Sequence, residues 1–392
     1  MPTKRIECLD SLRGIAAIAV ILSHMNLEYF NGGMTMPLRN TPLHVFYDGD
    51  AAVVFFFVLS GFVLSFKYVG GGIESLSRLS LRSFFVARVF RILPMFWFVL
   101  IITALCALYF PNNCVTQPQR VWSSWWYQFT PTWVNFLKQV TLIYSDPFLG
   151  RWIGAIDGHP YIPQAWSLSI ELILSLMVPV FALIAVNRPK WLMFLTVILV
   201  WIFGVYVYLI HFVMGILLAL YLPQISHYIN NKGKAFASGL LMTGVLLYSY
   251  RYSVVVYFPK VSVLQIILFS ENSVYVVIGA GVVLIISCVL SSTRLQQLLN
   301  LWPVKLIGKV SYGIYLVHTL VMVFITPFFI RWLNDMGITG FLTVLIPAFI
   351  VTIATSIIIA VVLHYLVELP CIRLGKKLNM RINQTAGLGG NR

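Results

Sequence analysis

Arg13 and His24 are spaced for joint work. They stand eleven residues apart in RIECLDSLRGIAAIAVILSHMNLE, Arg5 to Glu28. On a helix, eleven residues turn through about 1100°, three turns and roughly 20° more, so both side chains share a face about 16 Å apart. A cation and a titratable base on one apolar helix are costly in lipid and ask for a use. Neutral imidazole is a natural general base near neutral pH; a histidine hydrogen-bonded between helices is the other use open to His24. Arg13 follows Asp10 by three residues, which suits an ion pair. It could equally be a topology-setting charge that snorkels to the headgroups. Glu28, one turn beyond His24, can orient the ring or simply face the interface.

Five further stretches hold polar groups in apolar surroundings. RVFR, Arg88 to Arg91, puts two guanidinium forks three residues apart, on one side of a helix, where they suit a phosphate or diphosphate. In VVFFFVLSGF, Ser60-Gly61 interrupts an apolar run, either for close helix approach or for a hydroxyl contact to a ligand. PQAWSLSIEL, Pro163 to Leu172, carries Glu171 into a span, where it could hold a cation, orient a base or bind an acceptor hydroxyl. In LIGKVSYGIYLVH, Ser311, Tyr315 and His318 share a face as a polar packing seam or a cavity lining. HYLVELP ends in Glu368, expected to pair with a nearby arginine. The five cysteines show neither metal-ligand spacing nor a disulfide pattern, and no metal site is expected.

The elements that must position these groups follow from composition. The 392 residues are 59% hydrophobic and 10% charged, with mean hydropathy +0.88. Soluble domains carry about 25% charged residues. The apolar blocks are bilayer-length and continuous, which predicts an all-α integral membrane protein rather than a barrel. About ten transmembrane helices are expected, near 12–29, 50–68, 92–110, 163–186, 191–204, 205–221, 235–252, 272–292, 308–330 and 341–366. Residues 191–221 could form two spans or one, with Gly204 a plausible turn. With both termini inside, only Arg39, Arg120, Lys138, Arg151, Arg251, Lys260 and Arg331 of the 27 Lys and Arg fall outside. That asymmetry predicts N-in, C-in topology in a plasma (bacterial inner) membrane. The net charge of +15 is thus a topology signal, and no nucleic-acid partner is expected.

Two long outer loops follow from this topology, residues 30–49 and 111–162. The second holds Trp122, Trp125, Trp126, Tyr127, Trp133 and Trp152, either an interfacial belt or a stacking surface for a sugar, helped by Asp146, Asp157 and His159. No cleavable leader is expected at Met1 to Cys8. Residues 1–378 read as one membrane domain and 379–392 as a polar cytoplasmic tail expected to be disordered.

RIECLDSLRGIAAIAVILSH, FFFVLSGF, RVFRILP, WSLSIE, LGKVSYGIYLVH and YLVELP, in this order from Arg5 to about Leu378, resemble the membrane-bound acyltransferase 3 family of polysaccharide O-acetyltransferases. The resemblance implies transfer of an acyl group, usually from acetyl-CoA in the cytoplasm, to a glycan or lipid-linked sugar hydroxyl on the outer face. Its arginine–histidine and paired-arginine motifs map onto Arg13 and His24 and onto Arg88 and Arg91. The sequence departs from the pattern six residues before the serine, where Val54 stands in place of a frequent acid and Asp50 lies a turn earlier. On this reading His24 is the general base, or transiently holds the acyl group itself, with Glu171 and Glu28 assisting. Arg13, Arg88 and Arg91 take the donor's phosphates, and Ser60 and Tyr315 contact the donor. The alternative is a transporter or exporter of a polar or acylated sugar-like molecule, although no inverted repeat is visible.

Overall fold

The computed structural model describes residues 6–29, 42–70, 74, 76, 80–109, 132–146, 149, 160–202, 206–250 and 271–388. Among these residues every regular element is helical. The chain divides into two compact units, Met1–Arg78 with Met177–Ser311, and Leu79–Leu176 with Tyr312–Arg392.

The first unit is organised around α2 (Gly49–Val69), whose run GDAAVVFFFVLSGF is apolar on nearly every side and correspondingly buried. It packs against α1 (Glu7–Tyr29), α6 (Val178–Asn187), α8 (Tyr208–Tyr248) and α9 (Glu271–Ser291). Lipid tails are as apolar as leucine, so such helices associate through close packing and hydrogen bonds rather than water exclusion. Glycines supply the closeness. A Cβ on Gly61 would lie 2.0 Å from the Phe212 carbonyl oxygen, and one on Gly215 would lie 2.0 Å from that of Val58. α2 and α8 therefore touch backbone to backbone. α1 meets the short α11 (Trp302–Lys309) the same way, because a Cβ on Gly14 would come within 2.6 Å of the Gly308 nitrogen. Inside α8, Gly233 adopts φ 85°, which breaks the helix into two segments. The unit is completed by α7 (Pro189–Trp201) and α10 (Thr293–Leu299).

The second unit contains α3 (Leu81–Tyr109), α4 (Trp133–Val140), α5 (Ala165–Leu176), α12 (Ser311–Phe324, from Tyr312), α13 (Thr326–Asp335), α14 (Phe341–Leu363) and α15 (Leu369–Leu388). α4 is amphipathic in an inverted sense: Trp133, Val134 and Leu137 are exposed, while Asn135 and Gln139 are buried. An outward apolar stripe suits lipid contact. The Gln139 amide accepts from the Ile162 N–H and donates to its carbonyl (3.1 and 2.9 Å), which fixes the chain where it enters α5. Between α14 and α15 the helix widens into a π-turn, His364–Glu368, closed by the Leu369 N–H on the His364 carbonyl. Pro370 supplies the cause. It has no N–H for the Leu366 carbonyl and its ring would crowd that oxygen in a regular helix.

Among the described residues, seven helices are long and apolar enough to cross a membrane, or eight if Ala165–Leu176 and Val178–Asn187 form one broken span. Of the ten segments expected, residues 191–204 coincide with α7, which has 13 residues and is short for a span. The expected segments 205–221 and 235–252 both overlap the 41-residue α8, which takes in residues 208–221 of one and 235–248 of the other. α7 and α8 are separate helices, with the expected turn at Gly204 outside the described residues. α3 begins at Leu81, eleven residues before the apolar segment that starts at 92, because Ser80 closes its first turn: the Phe84 N–H reaches the Ser80 carbonyl at 2.9 Å. Hydropathy marks where lipid begins, not where a helix begins. At the other end α15 continues to Leu388, into residues expected to be a tail.

Candidate active site

In the first unit, α1 is one unbroken helix that carries both Arg13 and His24. The guanidinium of Arg13 is paired with Asp10 at 3.4 Å, the i,i+3 pair that the spacing suggests, and both side chains are largely buried. The glycine contact with α11 lies at this level, since a Cβ on Gly308 would strike the backbone of Asp10 and Ser11. Lys305 on α11 reaches Glu7 at 2.7 Å. This end of α1 therefore gathers Arg13, Lys305, Asp10 and Glu7.

His24 lies at the other end, half-buried between the fully buried Ile21 and Met25. Its neighbour Ser23 is packed against the start of α2, where a Cβ on Gly49 would stand 2.6 Å from the Ser23 hydroxyl. Asp48 caps α2 by accepting from the Ala51 N–H at 2.9 Å. Its second oxygen stands 3.6 Å from Nδ1 of His44, and both side chains are nearly sealed from solvent. Tyr47 lies edge-on to His44, and Tyr248 is within electrostatic reach of Asp48. The sequence reading missed His44 and Asp48, although their i,i+4 spacing and the capping position of an aspartate were visible signals. Ser60 is buried beside the Gly61 crossing. Glu28 belongs to the last turn of α1, and its side chain lies outside the described residues.

The second unit holds the remaining candidates. Arg88 and Arg91 both lie on α3, with the Arg88 guanidinium 6.0 Å from the Phe84 ring centre. Arg91 is within electrostatic reach of the Tyr312 hydroxyl, as are Glu171 and Glu368. That hydroxyl donates to the Ile92 carbonyl at 2.8 Å. A polar seam joins α5 to α12. Gln164, in the turn before α5, lies 3.0 Å from the Tyr315 carbonyl, 2.9 Å from that of Leu316 and 3.0 Å from the Thr319 hydroxyl. Ser167 donates to the Gln164 carbonyl (2.9 Å), so the 2.6 Å contact between Ser167 and Tyr315 has the phenol as donor. Glu171 is within reach of Tyr315 as well as Tyr312. Gln164, Ser167 and Glu171 thus present one face, at spacings of three and four, to Thr319, Tyr315 and Tyr312.

Of Ser311, Tyr315 and His318, expected to share a polar face, Tyr315 meets Ser167 of α5, and Nδ1 of His318 bonds to the Tyr315 carbonyl at 2.8 Å. Glu368, expected to pair with an arginine, is held by His364 at 2.6 Å. Trp122, Trp125, Trp126, Tyr127, Trp152, Asp157 and His159 lie outside the described residues. Trp133 is exposed on α4, and Asp146 is buried and accepts from the Leu149 N–H at 2.8 Å. Among the described residues, no group of three His, Cys, Asp or Glu side chains could hold a metal ion.

Comparison with known proteins adds a family. The model of a family described as "Acyltransferase domain" matches residues 6–362. The chain is 24% identical over 356 residues to the peptidoglycan O-acetyltransferase OatA of Listeria monocytogenes, an alignment covering 83% of this chain and 50% of that protein. It is 23% identical over 339 residues to the O-acetyltransferase OatA of Staphylococcus aureus, covering 82% and 51%. The chain therefore spans about half the length of the curated relatives it matches. No solved structure matches it.

Proposed function

This chain belongs to the acyltransferase family, and from that premise we propose that it is a multi-pass plasma-membrane O-acyltransferase. It moves an acyl group, most simply acetyl, from acyl-CoA on the cytoplasmic side to a hydroxyl of a cell-surface or lipid-linked glycan outside. The two relatives, both called O-acetyltransferases and one of them specifically a peptidoglycan O-acetyltransferase, support acetyl as the group and a wall glycan as the acceptor class. The observation that carries the reading is the Arg13–His24 pair on one unbroken helix within the matched region.

The chemistry follows from the residue types. His24 takes the proton of the acceptor hydroxyl while its oxygen attacks the thioester carbonyl. The carbon–sulfur bond breaks, and the thiolate takes up a proton and leaves as free CoA. Arg13 binds donor phosphate at the charged end of α1. Arg88 and Arg91 supply the paired guanidinium groups that fit a diphosphate. Glu171 and Glu28 assist by orienting the acceptor or the base, and Ser60 and Tyr315 contact the donor. The test is mass spectrometry of surface glycans from cells with and without the protein. A gain of acetyl mass on one sugar is expected, and identical spectra would overturn the proposal. A purified His24→Ala protein that acylates at the wild-type rate would remove His24 from the mechanism.

A further inference from the structure

Two helices of the second unit, α3 and α15, together carry seven lysines and arginines and no aspartate or glutamate. They pack against each other, and two contacts fix how. A Cβ on Gly375 would lie 2.8 Å from the Cβ of Phe90, so α15 meets that side chain with bare backbone. The Asn379 amide donates to the Ser83 carbonyl at 3.0 Å. Residue numbers therefore rise along α15 as they fall along α3, and the two helices run antiparallel.

Helix geometry then places the cations. Ser83 and Phe90 are separated by about 700° of helical turn, so they share the face of α3 that meets α15. Measured from the middle of that face, Arg91 lies about 90° round the helix and Arg88 about 150°. Measured from the middle of Gly375 and Asn379 on α15, Lys376 lies about 80° round and Arg373 about 140°, in the same sense. In an antiparallel pair the same sense of rotation falls on the same side of the contact. Phe90 stands between Arg88 and Arg91 in the chain as Gly375 stands between Arg373 and Lys376, so the two pairs are also at one level. Four cations thus flank one groove. Arg373 and Lys376 are exposed, and neither forms an ion pair among the described residues. Glu171 and Glu368, within electrostatic reach of Tyr312 as Arg91 is, belong to α5 and to the π-turn, and Glu368 is held by His364. Like charges along a groove repel one another, and a multiply charged anion laid between them relieves the repulsion.

The geometry points to a subsite at Arg373 and Lys376 for the donor's third phosphate, the 3′-phosphate of coenzyme A. The inference rests on the reading of Arg88 and Arg91 as binding the donor's diphosphate. Coenzyme A carries its diphosphate and its 3′-phosphate on one ribose, so a donor with the first on α3 has the second to place a short way off. Axes of packed helices lie about 8–10 Å apart, and the two cation pairs face the groove from either side of that gap. Arg373 presents a fork to the phosphate oxygens and Lys376 a compact charge. Both donate hydrogen bonds to a phosphate whose second pKa of about 6 leaves it close to dianionic at neutral pH. α15 thereby selects the coenzyme A form of the donor over its 3′-dephospho form.

The experiment is calorimetric titration of the full-length, solubilised protein with coenzyme A and with 3′-dephospho-coenzyme A. Wild type is expected to bind coenzyme A about tenfold more tightly, the worth of one charge-assisted hydrogen bond. R373Q/K376Q is expected to bind both alike, at the affinity wild type has for the dephospho form. R373Q and K376Q singly, expected to keep part of the preference, serve if the double variant fails to fold. K376R, which keeps the charge, is expected to keep the preference. Equal affinities in wild type would overturn the inference alone, provided R88A and R91A still weaken both ligands. So would a preference that survives in R373Q/K376Q, or an equal weakening of both ligands by that variant. Binding that ignores R88A and R91A would instead overturn the donor reading itself. Anionic lipid retained through purification by wild type but not by R373Q/K376Q, with no preference between the two ligands, would assign this face of α15 to lipid headgroups and overturn the inference too.

Discussion

At the scale of single residues, the strongest expectation concerns His24. General acid–base groups contribute roughly 10²- to 10⁴-fold in rate, so His24→Ala should lower kcat by that order while the protein still melts as wild type in detergent. Release of free CoA from acetyl-CoA in the presence of acceptor measures it. Tyr315 offers a contrasting case. Its hydroxyl donates to Ser167, which already donates to the Gln164 carbonyl, so the phenol is one link in a packed seam. Tyr315→Phe removes one hydrogen bond while Ser167 keeps another, and should cost about 1 kcal/mol of stability. The proposed donor contact adds a raised KM for the donor to that melt shift; a melt shift with unchanged KM would assign Tyr315 to packing alone. The partner of Glu368 was legible only in part. The spacing of His364 and Glu368 is an i,i+4 pair on any helix, yet a carboxylate at a helix end near several arginines reads more readily as an arginine partner.

At the scale of elements, glycines divide into two kinds that the sequence cannot separate. Gly61 and Gly215 are crossing points where a methyl would strike a backbone carbonyl at 2.0 Å. Gly239, on the later part of α8, has nothing within 4 Å of an added Cβ. Gly61→Ala should therefore destabilise by about 1–3 kcal/mol through forced helix separation. Gly239→Ala should stabilise by up to about 1 kcal/mol through helix propensity alone. Opposite shifts of melting temperature in detergent would bear this out; shifts of the same sign would mean that the α2–α8 contact does not set stability. Gly14 and Gly308 form a third crossing, and it places α11 against the Asp10–Arg13 turn of α1. The helix ends show the same division. A Ser80-capped start and a Pro370-widened turn both rest on local chemistry, yet hydropathy windows track neither.

At the scale of the whole molecule, the unequal distribution of lysine and arginine predicts that both termini face the cytoplasm. Reporter fusions at residue 1 and residue 392 should both be active only as cytoplasmic reporters; termini on opposite sides would require an odd number of crossings and invert the assignment of several loops. The count of crossings turns on α7 and on the two segments of α8, which meet at Gly233. Cysteine-accessibility labelling at Lys232 and Lys234 should find both on the cytoplasmic side if the break at Gly233 lies between two spans. What the sequence by itself determined is what depends on fixed local geometry. Arg13 and His24 share a face because the rise and twist of a helix are constants, and the helical, membrane-spanning class follows from unbroken apolar runs. The tertiary structure alone decided the partners. Ser167 and Tyr315 are 148 residues apart, and the Tyr312 hydroxyl meets a carbonyl 220 residues away. Such pairings arise from how helices stack, where the contact chosen depends on the shape of two surfaces at once, and no periodicity in one segment encodes the other.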